Sequence, residues 1–597
     1  MVLPALMGAA PPAGGAATNE VIGATAAAGA LSVILAWLVL GHRSGRRQEL
    51  SRAARWCARR LDLPYWAALP LALSTPSLLV ALLGMYWDIS LHIDNGRDPG
   101  PLANPAHYLI LGGLWGIFSA GVLAVALPRG RRPGAAAVHL GEDFDAPVGG
   151  VLMAACAAFA LLGFPLDDVW HRLFGQDVTL WGPTHLMLFG GAGLSLIGQA
   201  VLLAEAARER PPGEHRRSVA WSHLRPVSLM GGMLIGLSTI QGEFDFGVPQ
   251  YRAIFHPLLI ALAAGLVLVA ARLWIGRGGA LGAALFFLVV RGIVSLIVGE
   301  VFGQTIPALP LYVPEALLVE LAGLWLAARP LALGAAGGAL AGTVGFAAEW
   351  GWTHLIFRLP WERDLLPEGL IVAIVGGVAG GVLGALLSCG LRGRLPEPRV
   401  ARALAVTAVL AVAACVADGL VTTQPPARAT MVMLPGRNVD VRIAPAALAD
   451  TAEWVTVTAW QGGGLHVDRL TRLGPGHYRT NSPVPMGGKW KSLVRVHRGR
   501  AVLGAPVELP PDAAIPVKGV PAPRTPQVRP FVRDQLILQR ERKRDVPTWL
   551  WSAACIVVAC LGLTLITALS WGVGRVGRRA GERRAGAPIV AAAGWPR

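Results

Sequence analysis

Runs of about 20 apolar residues, the length that carries an α-helix across a hydrocarbon core, recur along this chain and limit its folds more than any other feature. They fall near 22–41, 64–86, 106–127, 147–166, 183–204, 224–241, 256–274, 279–299, 312–328, 332–350, 367–390, 401–421 and 548–571, thirteen expected spans. Those at 224–241 and 312–328 are the least sharply defined. In lipid each run must satisfy its own backbone hydrogen bonds, so helices are the expected form. With 54% hydrophobic and 15% charged residues and a mean hydropathy of +0.52, the composition is that of a polytopic all-α membrane protein rather than a soluble one. The expected layout is a membrane domain of twelve spans at 1–421, a polar domain at 422–546, and a last span with a basic tail at 547–597.

Arginine placement predicts orientation, because short inner loops hold the Lys/Arg excess. HRSGRRQELSRAARWCARR, PRGRRPG, RERPPGEHRR, LRGRLPEPRVAR and GRRAGERR follow the first, third, fifth, eleventh and last spans, and all fall on one side. The reading is a multi-pass protein of the cell membrane, N-terminus out and C-terminus in, with 422–546 extracytoplasmic. The formal charge of +17 sits largely in these loops and the tail. It points to the lipid bilayer as partner rather than to nucleic acid. The first 20 residues lack Lys and Arg, so they make no basic signal-peptide n-region and the first span is expected to remain as a helix. The six cysteines lie in the first inner loop (Cys57) or in spans (Cys156, Cys389, Cys415, Cys555, Cys560). An external metal must therefore use His, Asp, Glu, Met or backbone.

At 167–185 the chain reads DDVWHRLFGQDVTLWGPTH, where one apolar run ends and the next begins. Asp167 and His171 are four apart and share a helix face; Asp168, at i,i+3, can replace Asp167. His185 opens the next run, so a tight antiparallel hairpin returns it to the first two. One carboxylate and two imidazoles suit copper, zinc or non-haem iron. The stretch DISLHIDNGRDPGPLANPAH at 88–107 repeats the pattern with a one-residue gap: Asp88, His92, Gly96, Asp98, Pro105 and His107 match Asp167, His171, Gly175, Asp177, Pro183 and His185. Asp98 and Asp177 are expected to orient the imidazoles or to cap their turns. Weaker copies run from Glu243 and Asp245 to His256, and from Glu349 and His354 to Asp364 and Pro367-Glu368. Trp170 and Trp181 fit an interfacial aromatic belt. Arg291, deep in a span, needs a carboxylate, and Glu320 is the expected partner, with Glu315 nearby.

VDVRIAP, WVTVTAW, HYRTNSPV and KSLVRVHR alternate between Gly and Pro turns and predict a small antiparallel β-sandwich within 422–546. PVKGVPAPRTPQVRPF reads as an extended connector to the last span. His466, His477, His497 and Met486 are scattered copper-ligand types there.

The run Asp167-x-x-Trp170-His171, Asp177, Pro183-Thr184-His185 resembles the copper segment of the C subunit of particulate methane and ammonia monooxygenases. The resemblance implies copper held by Asp167, His171 and His185 and, through the repeat, by Asp88, His92 and His107. It covers about 20 residues; the spacer before His185 is a residue longer, the motif is duplicated, and thirteen spans exceed such a subunit. GHYRTNSPVPMGGKW, through Gly476, Tyr478, Met486, Gly488 and Trp490, is similar to FixH/YtkA-like immunoglobulin-type domains of copper-handling or oxidase-assembly proteins. Together they imply one or two copper ions at the outer face, with zinc or iron not excluded, and partner subunits of monooxygenase or copper-handling type. The expected chemistry is activation of O2 by reduced copper with an open position. The alternatives are copper transport, delivery or oxidase assembly without oxygenase activity, b-type haem held by His107 and His185, and a scaffold whose Asp and His only cap helices.

Overall fold

A computed structural model describes residues 16–585 apart from 99–101, 131, 143, 177–178, 210–218, 513–514 and 516. The helices in order are α1 (Thr18–Arg43), α2 (Glu49–Leu61), α3 (Tyr65–Asn95), α4 (Pro105–Ala126), α5 (Val148–Phe174), α6 (Pro183–Arg208), α7 (Val219–Ser238) and the short α8 (Gly242–Phe246). There follow α9 (Phe255–Ile275), α10 (Gly279–Leu296), α11 (Val313–Leu326), α12 (Pro330–Leu340), α13 (Phe346–Ile356), α14 (Leu366–Arg392) and α15 (Pro398–Leu420). Single π-helical turns extend α10 through Ile297–Val301 and join α12 to α13 through Ala341–Gly345. The last helix, Thr548–Ala585, follows the β-domain.

Eleven helices among the described residues are long and apolar enough to cross a membrane. This makes the chain a multi-pass membrane protein by class. The two of the thirteen expected spans that are missing from this set are 224–241, which folds as α7, and 312–328, which folds as the 14-residue α11. At about 1.5 Å per residue α11 extends only about 21 Å, short of the hydrocarbon core. The spans are packed unequally. Phe255–Ile275 is 72% buried in its apolar window, whereas α1, α15 and the last helix turn most of their Leu, Val and Ile outward, as lipid-facing helices do.

The helix ends carrying the repeat are set by local chemistry. Gly96 and Gly175 adopt φ of +89° and +78°, a region that L side chains resist, and each donates its N–H to the carbonyl of the histidine four residues earlier, ending the helix. Pro105 and Pro183 then start α4 and α6 at their first turn, where a missing N–H costs nothing. Two matching hairpins result, α3–α4 and α5–α6, packed side by side.

Among the described residues, the loop arginines gather at the opposite end of the bundle. Arg43 donates to the Pro128 carbonyl, Arg129 to His42, Arg208 to Leu391, Arg392 to Leu273 and Arg575 to Ala136. A small hairpin, β1 (Val138–Gly141) and β2 (Phe144–Ala146), lies there too.

The C-terminal domain contains β3 (Arg428–Met433), β4 (Val439–Ala444), β5 (Trp454–Trp460), β6 (His466–Arg469), β7 (Thr471–Gly474) and β8 (His477–Arg479), then β9 (Lys491–Arg498), β10 (Ala501–Glu508), β11 (Gln527–Pro530) and β12 (Val532–Arg533). They form two five-stranded antiparallel sheets, β12-β10-β9-β5-β6 and β11-β3-β4-β8-β7, around an apolar core that includes Met431, Val441, Val457, Tyr478, Val494 and Leu503. The Pro-rich stretch is more than a connector: its end forms β11, paired with β3 in register from Gln527–Met431 to Pro530–Arg428.

This domain sits on the bundle end that carries the repeat. Gln461 and Gly463 donate backbone N–H groups to the Ile93 and Asp94 carbonyls at 2.9 and 2.8 Å, capping α3. Arg97 pairs with Asp512 at 3.0 Å, Arg252 donates to the Gly499 carbonyl, and Trp454 donates its indole N–H to Pro360.

Candidate metal centre

Two groups of potential ligands converge at the covered end, each with donor atoms within 4.8 Å of one another: Asp88, His92, Asp98 and His107 on the first hairpin, and Asp167, His171 and His185 on the second. In the first, Asp88 Oδ1 lies 3.4 Å from His92 Nε2 and 3.1 Å from His107 Nε2, while Asp98 Oδ2 lies 3.5 and 3.8 Å from the same nitrogens. In the second, Asp167 Oδ1 is 3.4 Å from His185 Nε2 and Oδ2 is 3.7 Å from His171 Nδ1. Four donors each about 2.0–2.1 Å from a tetrahedral ion stand about 3.3 Å apart. Both groups are near that spacing, so the donor sets fit a transition-metal ion.

Neighbouring groups fix which ring nitrogen faces the carboxylate. His92 Nδ1 faces the Gly96 carbonyl at 3.1 Å and His185 Nδ1 the Thr179 carbonyl at 2.6 Å. A carbonyl can only accept, so each Nδ1 carries a proton and Nε2 is the ring nitrogen turned to the carboxylate. Asn104 Nδ2 donates to Asp88 Oδ1 at 2.6 Å and Asp98 Oδ2 at 3.0 Å, while its Oδ1 caps α4 by accepting from the Ala106 N–H. Thr184 holds Asp167 at 2.6 Å in the second hairpin. His107 also packs edge-on against Phe164 of α5, with centroids 5.5 Å apart, so the two groups are neighbours.

Asp98, expected only to orient an imidazole, belongs to the first donor set. Asp177 lies outside the described residues. Asp168 is not part of the second set and pairs with Arg172 at 2.8 Å. The weaker copies form no ligand group among the described residues. Glu243 accepts from Thr179 and from the Leu180 and Gln250 N–H groups, and Asp245 pairs with Arg291 at 3.0 Å. His256 accepts the Trp361 indole N–H at 2.9 Å and stacks on Phe244. Glu349 accepts the Leu311 and Tyr312 N–H groups, His354 contacts its own helix at the Trp350 carbonyl, and Glu368 pairs with Arg252. These carboxylates hold backbone and arginine that lipid cannot solvate.

Arg291 does not pair with Glu320. Asp245 takes it, with the Tyr86 ring 3.6 Å from the guanidinium carbon, and Glu320 pairs instead with Arg272 at 2.8 Å. Trp170 is buried on Phe174, and Trp181 is partly buried on Tyr251. The scattered histidines of the β-domain stay apart: His477 contacts Asp440, and His497 joins buried Arg495 and Asp534. Sequence reasoning missed Asn104 and Thr184; the Asn104-Pro105 pair, a capping residue before a first-turn proline, was the available signal.

Both donor sets open onto one cavity of about 920 Å³ lined mainly by α3 to α7, with Trp460, Lys491 and Glu541 of the β-domain side over its upper end. No protein family model matches the chain, and no curated protein or solved structure is significantly similar to it. The geometry of the site is thus the ground for a functional reading.

Proposed function

We propose that this is a copper protein of the cell membrane, related in chemistry to the copper-dependent membrane monooxygenases, holding one ion in each hairpin at the outer face. The observation that carries the reading is the convergence of two repeated Asp/His donor sets on one cavity. Gathering of the arginine loops at the far end supports an outer location for the sites and the β-domain. Imidazole and carboxylate donors suit copper, with zinc and iron as competitors.

Copper bound there supplies one-electron chemistry toward dioxygen. The chain's own residues do the rest. Asp88 and Asp167 offset the charge of a cation between two imidazoles, Gly96 and Thr179 carbonyls hold His92 and His185 in the ligating tautomer, and Asn104 keeps Asp88 and Asp98 side by side. Partner subunits remain part of the proposal.

Metal analysis by mass spectrometry on detergent-purified protein tests this. His92→Ala with His107→Ala, and separately His171→Ala with His185→Ala, should each remove about one equivalent of copper. Protein that holds no copper, or copper that survives both pairs, would sink the reading.

A further inference from the structure

The cavity is far larger than a small gas needs. A molecule the size of water fills on the order of 30 Å³, whereas the whole cavity, from the β-domain side past the two donor sets to Gln199, holds about 920 Å³. Sites for whole organic ligands span roughly 300–1,000 Å³. Its shape is equally informative. The lining runs down α3 from Asp88 to Thr75 and down α6 from His185 to Gln199, each about 20 Å at 1.5 Å per residue. That exceeds half of a hydrocarbon core of about 30 Å, the reach of one leaflet's chains.

The walls between these ends are apolar: Leu78, Leu82, Phe164, Leu188, Phe189 and Leu196. Midway along the wall Gly193 of α6 meets Gly236 of α7, where a Cβ on Gly236 would lie 3.3 Å from the Gly193 Cα. Polar groups appear only at the two ends. At the bottom, buried Gln199 accepts from Ser74 at 2.9 Å. At the top are the carboxylates and imidazoles.

We propose that this cavity binds one long hydrocarbon chain, its polar head beside the donor sets and its tail running down between α3 and α6 toward Gln199. The inference rests on the metal reading for the chemistry done to the chain, and names its substrate class, but the binding walls are separate from the ligands. Apolar surface buried along such a tunnel stabilises binding in proportion to its area, about 0.8 kcal/mol per methylene, which is about fourfold in affinity per carbon. Chain length is therefore the variable to test.

Full-length copper-loaded protein in detergent would be incubated with hexanol, decanol or hexadecanol, and bound chains counted by native mass spectrometry. One hexadecanol per protein is expected, with affinity rising along the series. Ala192→Phe and Leu82→Trp, which narrow the tunnel midway and touch no donor residue, should remove the advantage of hexadecanol over decanol while copper content and thermal unfolding stay unchanged. No rise with length in the parent, or the parental profile in both folded variants, would overturn the proposal. If only one variant folds, its profile decides. The same length profile in protein that takes up no copper would support the chain site and discard the metal reading alone.

Discussion

Asp88 and Asp167 each stand between two imidazoles, and the side chains that position them are uncharged and easily overlooked. Asn104 bridges a helix cap and two carboxylates, so its substitutions separate two roles. Asn104→Ala should weaken binding of the proposed copper ion at the first donor set about 10–100-fold, the usual cost of losing such a supporting contact, and also lower stability by about 1 kcal/mol through the lost cap. Asn104→Asp keeps a capping oxygen and loses the donor, so chelator-competition titration should show the binding loss with most of the cap restored. Parental affinity in both variants would show that Asn104 is only a cap. Asp88 and His92 were legible because i,i+4 on a helix fixes a shared face, and His107 because the repeated hairpin returns it to that face. Asp98 was not, because a position in a Gly-Pro turn has no periodicity to read.

Helix packing in this bundle depends on glycine at close backbone crossings. A Cβ on Gly338 of α12 would sit 2.0 Å from the Gly377 carbonyl oxygen of α14, and one on Gly381 at the same distance from the Gly334 carbonyl oxygen. Gly338→Val should therefore force the helices apart and cost about 1–3 kcal/mol or more, lowering the thermal midpoint in detergent. Gly351→Ala, where a Cβ meets nothing within 4 Å, is the matched control and should shift it little. The glycine stripes announced close contact in the sequence; their partners did not show until helices were placed. Arg291 makes the same point with charge. Its need for a carboxylate was evident, yet Glu320 is taken by Arg272 and the Ala280 N–H, while Asp245 arrives from a distant segment. Removing one partner of a buried pair costs about 3–5 kcal/mol. Arg291→Met should show that loss in unfolding assays, and Arg291→Met with Asp245→Leu should recover most of it.

Across the whole molecule, the β-domain and the bundle are joined through a buried network in which Asp534 contacts His497 at 2.9 Å and Arg495 at 2.7 Å, while Arg495 also donates to the Pro249 carbonyl of the bundle. Burial pushes His497 below its usual 6.5, against the pull of Asp534. Burial alone would raise Asp534, but Arg495 and His497 outweigh it and hold the carboxyl below its usual 3.8. Both shifts have the same sign. The His497 contribution is complete above pH 6.5 and is lost as pH falls from there through its lowered folded value; that of Asp534 is lost only below pH 3.8. Thermal unfolding should therefore weaken between pH 7.5 and 5, and His497→Gln should flatten that dependence. An unchanged slope in His497→Gln would assign the acid sensitivity elsewhere.

Membrane class, the two hairpins and the strand segments were determined by the sequence alone, because each follows from local rules: apolar run length, i,i+4 spacing, alternation, and Gly or Pro at helix ends. Only the tertiary structure decided that two donor sets share one cavity, that the β-domain roofs it, and which buried charges pair. Those outcomes depend on contacts between segments tens to hundreds of residues apart. A side chain's periodicity tells which face it occupies and nothing about which neighbour reaches that face first.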